Sequence, residues 1–386
     1  MSGWFVLWVL LFLCAEAFAR RNRSSRARWT GSRLNTTDYN HELELIELAK
    51  VDYLRPAMDG KKKELLCASF VYGSLSASRS LFGNVDNSEV DCDWAVVVYD
   101  GDESLICSPL KLKFSVVHCR LIPEESFQGL GMFGLSTTAT PLVKDKNTGR
   151  VRRPTIPKTI LYTELVPILK DYKRVMLLDE DISLDGFGTK RFLQIWNCAF
   201  YPHVPLVVQP LIAENTQFLQ YMNARAWKSK KGVLASASGL VEQQVPAFDS
   251  AFFHWFLTRV LPITRPVVLA NGVDWGHDRT WCNAAQMYAA NVLQWASKEQ
   301  GLGVLPACAI ITGAAPVHHL NTRSMTSKRT QRERYRLGGR AVVQEYINRF
   351  PTWVLLDISR GPDPTAQSSG HRFIKVTSLA ENCAGV

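Results

Sequence analysis

The sequence predicts an α/β protein in which helices flank a central, mostly parallel sheet. Short apolar runs with strand character alternate with segments of helical spacing, the order that a parallel sheet requires. Of the 386 residues, 46% are hydrophobic and 21% charged, which excludes a disordered chain. A mean hydropathy of −0.06 excludes a protein with many membrane spans. The net charge is +10, from 45 Lys and Arg against 35 Asp and Glu.

The first segment predicts entry into the secretory pathway. An apolar run over residues 4–14 precedes Ala17-Phe18-Ala19, a pattern that signal peptidase accepts, so we expect a signal peptide over residues 1–19. A short membrane anchor is the alternative, with membrane association through the N-terminus. Residues 20–60 are polar and basic and are interpreted as a stem. The positive-inside rule favours positive charge before the apolar run, whereas the arginines here follow it. This distribution argues against both the signal peptide and the membrane anchor.

Cysteine usage is compatible with the lumen of the ER or Golgi. Without Cys14, eight cysteines remain, and an even number permits disulfides in an oxidising compartment. Buried free thiols are the alternative. Two sequons begin at Asn22 and Asn35 in the polar stem, where a glycan meets no packing conflict. These features together predict a glycoprotein of the secretory pathway.

Three apolar segments open the predicted domain, which spans residues 61–322. Residues 65–72, 94–99 and 112–121 have strand character and are bounded by turn-forming residues. Residues 123–157 show little periodicity and are interpreted as a loop insertion. Residues 160–172 have helical spacing that Pro167 must kink, and an apolar run over 174–178 follows. A helix that leads into a buried strand is the crossover of a parallel sheet.

The second half of the domain repeats this alternation. Residues 206–209 predict a strand, and Asp249 is expected to cap a helix that Pro262 ends. Residues 281–295 predict a further helix, and residues 308–312 a last buried strand. Beyond the domain, residues 323–386 form a basic extension. Its arginines and lysines can contact phosphate, an anionic glycan or acidic lipid, or simply be solvated; we expect no nucleic-acid partner.

The acidic triplet Asp179-Glu180-Asp181 is the most informative motif. It stands where a buried strand ends, so Asp179 and Asp181 can face the crevice at the carboxyl end of the sheet. Carboxylates clustered there repel one another unless a hard cation joins them. Mn²⁺ or Mg²⁺ takes oxygen ligands and retains substrate phosphates. The triplet predicts a site for a metal and a diphosphate, and an acidic turn that caps the next element is the alternative.

Three other places carry candidate site residues. His318 and His319 follow the last strand, and either can supply an imidazole ligand for Mn²⁺ if the fold brings it beside Asp181. Asp278 follows a loop and is either a general base for an acceptor hydroxyl or a helix N-cap. Glu242 lies between two apolar stretches, and its carboxylate likewise has either a catalytic or a structural interpretation.

These motifs occur in an order that resembles the nucleotide-sugar-dependent glycosyltransferases of the GT-A fold, a Rossmann-like architecture. More closely, the chain resembles the lysine-ketoglutarate reductase trans-splicing related proteins. The resemblance covers roughly residues 173–320. The matching blocks are residues 178–182 with Phe187 and Phe192, Gln209-Pro210, Val241-Glu242 with Pro246 and Phe248, Trp275-Gly276 with Asp278 and Trp281, and residues 316–319.

The resemblance implies roles for individual residues. Asp179 and Asp181 bind the metal and the nucleotide sugar, His319 or His318 is the late metal ligand, and Asp278 is the base. The segment that contains Tyr72 and Gly73 resembles the one that receives the nucleotide. Thr312 departs from the pattern, because an acidic residue is common there.

The expected function is a divalent-metal-dependent glycosyltransferase that moves a sugar from a nucleotide sugar to a hydroxyl of a glycan, glycoprotein or glycolipid. Direct displacement inverts the anomeric centre, whereas a retaining course needs no such base. Two alternatives are kept. One is a non-catalytic carbohydrate- or nucleotide-sugar-binding protein of the same fold, and the other is a metal-dependent phosphoester hydrolase.

Overall fold

The computed structural model describes residues 62–75, 78–122, 157–213, 232–272, 276–278, 280–295, 307–320 and 329–350, and a few isolated residues between and beyond them. The predicted signal peptide, the stem with its sequons, most of the loop insertion and most of the basic extension lie outside the described residues. Within them, the sheet has nine strands, in the order β13-β9-β11-β8-β10-β6-β1-β2-β3.

The strands of this sheet, and of two small two-stranded sheets, are β1 (Lys63–Gly73), β2 (Asp93–Gly101), β3 (Val116–Leu121), β4 (Val143–Lys144), β5 (Val151–Arg152), β6 (Tyr172–Asp179), β7 (Ile182–Ser183), β8 (Val207–Pro210), β9 (Ala235–Ala237), β10 (Ala247–Asp249), β11 (Cys308–Ile311), β12 (His318–His319) and β13 (Lys375–Val376). The large sheet is mostly parallel, because only β10 and β9 run against the direction of the rest. The predicted α/β class with a mostly parallel central sheet is confirmed.

The described helices are α1 (Arg79–Asp86), α2 (Ser104–Lys113), α3 (Lys158–Tyr162), α4 (Val166–Leu169), α5 (Thr189–Cys198), α6 (Ser250–Trp255), α7 (Leu261–Asn271), α8 (Trp281–Asn291) and α9 (Arg329–Arg349). A 3₁₀ turn (Thr163–Leu165) separates α3 from α4, so the helical pattern is interrupted just before Pro167, the second residue of α4. Another segment, Phe256–Val260, is a π-helix that joins α6 to α7.

The core lies on both faces of the sheet because successive side chains of a strand point to opposite sides. In β1, Leu66, Ala68 and Phe70 join the cluster that includes α6 and α8. The alternate residues Leu65 and Cys67 join the cluster that includes α1 and α5. Both faces are covered, which explains why the central strands read as continuous apolar runs.

Two predicted elements differ from the structure. The third apolar segment is not one strand, since Leu112 belongs to α2 and β3 begins only at Val116. Asp249 caps α6 as predicted and accepts a hydrogen bond of 3.0 Å from the Phe252 amide, but Pro262 does not end the helical run. The proline lies just after the π-helical segment Phe256–Val260, whose different backbone hydrogen-bond pattern accommodates a residue without an N–H.

Three disulfides lie within the described residues, which fits the predicted oxidising compartment. They join Cys67 to Cys92, Cys107 to Cys119 and Cys282 to Cys308. The last of these ties the start of α8 to the start of β11. Among the described residues, no helix is both long and apolar enough to cross a membrane.

The C-terminal helix α9 packs against α7. Its residues Val342, Tyr346 and, just beyond it, Phe350 are fully buried in the core. The Tyr346 hydroxyl lies 3.0 Å from His277 Nδ1 and 3.3 Å from Thr264 Oγ1. This contact connects α9 to the loop that carries Asp278.

Candidate active site

The candidate site lies at the carboxyl end of the central strands, where the strand order reverses. From β1 the chain adds β2 and β3 on one side, and then returns to form β6 on the other side of β1. Asp179, the last residue of β6, pairs with Phe70 near the end of β1. In open α/β sheets, ligands bind in the crevice at such a reversal. The fold therefore places the acidic triplet at the expected position for a ligand.

The three acidic residues point in different directions. Glu180 turns toward β1 and β2, where its Oε2 accepts hydrogen bonds from the Tyr72 amide at 3.3 Å and the Tyr99 hydroxyl at 2.9 Å. Asp181 is buried, and its Oδ1 lies 3.3 Å from His319 Nε2. Glu180 thus anchors the triplet to the neighbouring strands and leaves the two aspartates for other partners.

His319 reaches Asp181 because β12 pairs with β7 in a small antiparallel sheet. In this pairing His319 stands opposite Ile182, and His318 stands opposite Ser183 and is exposed. The Leu320 amide donates a 2.8 Å hydrogen bond to the Asp181 carbonyl, which fixes the position of the histidine. Of the two candidate histidines, the structure brings His319 to the acidic triplet.

Lys158, the first residue of α3, forms an ion pair with Asp179. Its Nζ lies 2.5 Å from Asp179 Oδ2. Burial raises the pKa of Asp179 to about 6, and the charge of Lys158 opposes that effect. Burial acting alone would also raise the pKa of Asp181, but the hydrogen bond and charge of His319, together with Lys158, hold it below the ordinary value.

Glu242 lies beside Asp179 because its segment runs antiparallel to the end of β6. The Asp179 amide donates a 3.1 Å hydrogen bond to the carbonyl of Gln244, two residues after Glu242. The Glu242 amide in turn donates to Gln209 Oε1 at 2.8 Å. Burial, reinforced by the negative charge of Asp278, raises the pKa of Glu242 to about 7.

Asp278 joins this group from the loop before α8. Its Oδ1 accepts a 3.1 Å hydrogen bond from the Gly276 amide, and the N-cap of α8 is Thr280. Asp278 is therefore not the N-cap, which was the alternative considered from the sequence. Its negative charge raises the pKa of Glu242, because like charges disfavour ionisation of the neighbouring carboxyl group.

Tyr72 and Gly73 lie at the end of β1, on the same edge. A Cβ on Gly73 would stand 2.4 Å from the Asp102 backbone nitrogen, so only glycine permits this close approach of the loop after β2. Tyr72 packs at a tilt against Tyr99, with ring centroids 6.2 Å apart. The structure thus places both residues beside Glu180, in the crevice that the triplet borders.

The charge of the site favours a cation. Four carboxylates interact with one another here, from Asp179, Asp181, Glu242 and Asp278, and the basic groups that act on them are Lys158 and His319. No group of three or more metal-ligating side chains already converges within the described part of the chain. The donor types nevertheless suit Mn²⁺, since Asp181 and His319 offer an oxygen and an imidazole nitrogen 3.3 Å apart. The oxygen Oδ2 of Asp179, the other carboxylate at this position, is paired with Lys158.

Sequence reasoning did not find Lys158, Tyr99 or the separate role of Glu180. Lys158 stands next to the segment interpreted as a loop insertion, and no local pattern distinguishes it from the other lysines. Glu180 could have been found from strand geometry, since alternate residues at the end of a strand face opposite sides. Tyr99 is the last residue of its apolar run and carries no motif.

Among solved structures, the chain is similar to residues 1–349 of TarS from S. aureus in complex with UDP-GlcNAc. That match has 12% identity and a TM-score of 0.35, and it covers 74% of this chain and 67% of the other. A mannosyltransferase, PcManGT from Pyrobaculum calidifontis in complex with GDP-Man and Mn²⁺, is similar at 12% identity and a TM-score of 0.31, over 83% of this chain and 82% of the other.

No family model matches the chain, and no curated protein matches it. The resemblance to the lysine-ketoglutarate reductase trans-splicing related proteins therefore stays a prediction from the motifs. Both TM-scores are below 0.5, so the function proposed below is based on the geometry of the site.

Proposed function

We propose that the protein is a divalent-metal-dependent glycosyltransferase that transfers a sugar from a nucleotide sugar to a hydroxyl group. The observation that supports this most directly is the position of Asp179 and Asp181, at the carboxyl end of β6 where the strand order reverses, with His319 beside Asp181. Such a crevice accepts a nucleotide, and its excess of carboxylates requires a cation to accompany the diphosphate.

In this proposal Asp179, Asp181 and His319 hold Mn²⁺ or Mg²⁺. The bound ion would neutralise charge on the diphosphate leaving group. Glu180 keeps the two aspartates in place through its bonds to Tyr72 and Tyr99. The ends of β1 and β2, with Tyr72 and Gly73, form the wall on which the nucleotide lies.

Glu242 and Asp278 are the proposed proton acceptors for the hydroxyl of the acceptor. A general base works best when its pKa is near the working pH, and burial together with Asp278 brings the pKa of Glu242 to about 7. Asp278 thus contributes in the proposal by its charge, and either carboxylate can receive the proton in an inverting displacement.

We also propose a location for the protein and a division of the chain into domains. Disulfides within the described residues support a luminal or secreted protein. The proposed domain organisation has four segments: a signal peptide or anchor (residues 1–19), a stem (20–60), a catalytic domain (61–322) and an extension (323–386). The acceptor is then a glycan, a glycoprotein or a glycolipid of the secretory pathway.

The test is thermal unfolding of the protein with a panel of nucleoside diphosphates, with Mn²⁺ present or chelated. A ligand that binds the folded state raises its stability by mass action. We expect one nucleotide to raise the Tm only when Mn²⁺ is present, and Asp181→Ala to abolish that rise. Asp171→Ala is the matched control, because Asp171 is exposed and stands just before β6, at the end of the strand far from Asp181. An unchanged metal-dependent rise in Asp181→Ala contradicts the proposal.

Product analysis separates the other two functions. A transferase releases nucleoside diphosphate in proportion to the glycosylated acceptor. A phosphoester hydrolase releases nucleoside monophosphate and sugar phosphate, and a binding protein raises its Tm with the ligand but forms no product with any acceptor. Either of the latter outcomes replaces the proposed activity.

A further inference from the structure

Lys158 is placed to interfere with cation binding at Asp179. Its Nζ lies 2.5 Å from Asp179 Oδ2, with 30% of the lysine side chain and 18% of the aspartate side chain exposed. The four residues after Lys158 in α3 are buried, which anchors the helix while its first side chain reaches the crevice. This ion pair is partly shielded from bulk water and belongs to the proposed donor site itself.

The charge of Lys158 acts on more than one carboxylate. It lowers the pKa of Asp179, of Asp181 and of Glu242, in each case against the effect of burial. The ammonium group, held 2.5 Å from Asp179 Oδ2, therefore acts electrostatically on all three carboxylates. In the absence of a ligand, Lys158 therefore supplies part of the positive charge that the site needs.

A metal ion and Lys158 compete for the same oxygen. A carboxylate ligand lies about 2.0 to 2.1 Å from Mg²⁺, and the ammonium at 2.5 Å already occupies the approach to Asp179 Oδ2. Two positive charges held that close also repel each other. The diphosphate of a nucleotide gives the ammonium another anionic partner, and lysine is a common phosphate-binding residue.

We propose that Lys158 exchanges partners when the donor binds: it holds Asp179 in the free protein, and it releases Asp179 to the divalent cation as its ammonium moves to the diphosphate. This inference rests on the proposed function. It predicts weak binding of the cation alone and strong binding of the cation with the nucleotide, because only the diphosphate draws the lysine away. Lys158 is then a substrate-binding residue that makes entry of the cation depend on the nucleotide.

The variant Lys158→Met tests the exchange through two affinities that move in opposite directions. Mn²⁺ alone, followed by the paramagnetic resonance of the free ion, should bind about tenfold more tightly, because an opposite charge within about 4 to 6 Å changes the proton affinity of a carboxylate by at least that factor and should act on a metal cation in the same direction. Nucleoside diphosphate, titrated at saturating Mn²⁺, should bind about tenfold more weakly because one phosphate contact is lost. Damage to the fold would weaken both.

Two further variants complete the experiment. Lys158→Arg keeps the charge and should return both affinities toward those of the unmodified protein. Lys63→Met is the control. Lys63 lies at the amino end of β1, and its ion pair with Asp93 is also 2.5 Å long, so its loss should change neither affinity. If Lys158→Met binds Mn²⁺ no more tightly than the unmodified protein, or if neither binds Mn²⁺, the exchange does not occur.

The failure of this inference can be told from the failure of the proposed function. If the unmodified protein binds no nucleotide at saturating Mn²⁺, the proposed function fails, whatever the lysine variants do. If it binds nucleotide and Lys158→Met leaves both affinities unchanged, the proposed function stands and only the exchange is refuted.

Discussion

Replacing Glu242 with glutamine should stabilise the protein, and the gain should grow as the pH rises from about 4.5 through 7. Glu242 lies in the antiparallel segment beside Asp179 and faces the charge of Asp278. Burial raises its pKa from the ordinary 4.5 to about 7, so the folded protein resists ionisation of this group, whereas the unfolded chain does not. Glutamine has nearly the same shape as the protonated acid and cannot ionise.

The magnitude follows from the two pKa values. Below pH 4.5 the Glu242 carboxyl group is protonated in both the folded and the unfolded state, so it does not lower the free energy of unfolding. As the pH rises from 4.5 through 7, the folded state loses stability relative to the unfolded chain, up to about 3 kcal/mol at 1.36 kcal/mol for each pKa unit. Glu242 keeps some contact with water, so this is an upper value.

The assay is urea unfolding at about pH 5 and about pH 8.5, with a chelator present to remove divalent ions. We expect Glu242→Gln to gain between about 1 and 3 kcal/mol relative to the unmodified protein at the higher pH and much less at the lower one. Glu89→Gln is the control, because Glu89 is exposed and should show no such difference. A gain of equal size at both pH values, or a loss that grows with pH, would refute the reasoning.

Three other changes test the packing around the site. Gly73→Ala should cost about 1 to 3 kcal/mol in urea unfolding, because its Cβ would stand 2.4 Å from the Asp102 nitrogen; an unchanged stability would show that the loop after β2 can shift freely. Replacing Cys282 and Cys308 together with alanine opens a loop of sequence separation 26 and should cost about 3.5 kcal/mol, measured by thermal unfolding against the intact protein under non-reducing conditions. Tyr346→Phe leaves a buried histidine and threonine without their hydroxyl partner and should cost about 1 to 3 kcal/mol by the same measurement; stabilisation would show that the contact is not important.

The alternation of elements was predictable because it depends on local periodicity. Residues 65–72 and 174–178 read as buried strands, and both became central strands of the sheet. The prediction was wrong at Leu112, where an apolar residue on an exposed helix face resembled the start of a strand. It was also wrong at Pro262, since a π-helical segment before a proline cannot be read from spacing.

Part of the candidate site could be recognised in the same way. Asp179 and Asp181 stand at the end of a buried run, and the chemistry of two nearby carboxylates points to a cation whatever their partners are. Which histidine reaches them was not decided by the sequence, because His318 and His319 are adjacent and only the pairing of β12 with β7 distinguishes them.

The sequence by itself determined the α/β class and the acidic triplet, because strand period, apolar runs and residue chemistry are local properties. Only the tertiary structure decided the partners of the triplet. Lys158 lies 21 residues from Asp179, and Tyr72 and Tyr99 lie 108 and 81 residues from Glu180. Contacts over such separations form because parallel strands bring their carboxyl ends to one edge of the sheet, and no local pattern records which side chains meet there.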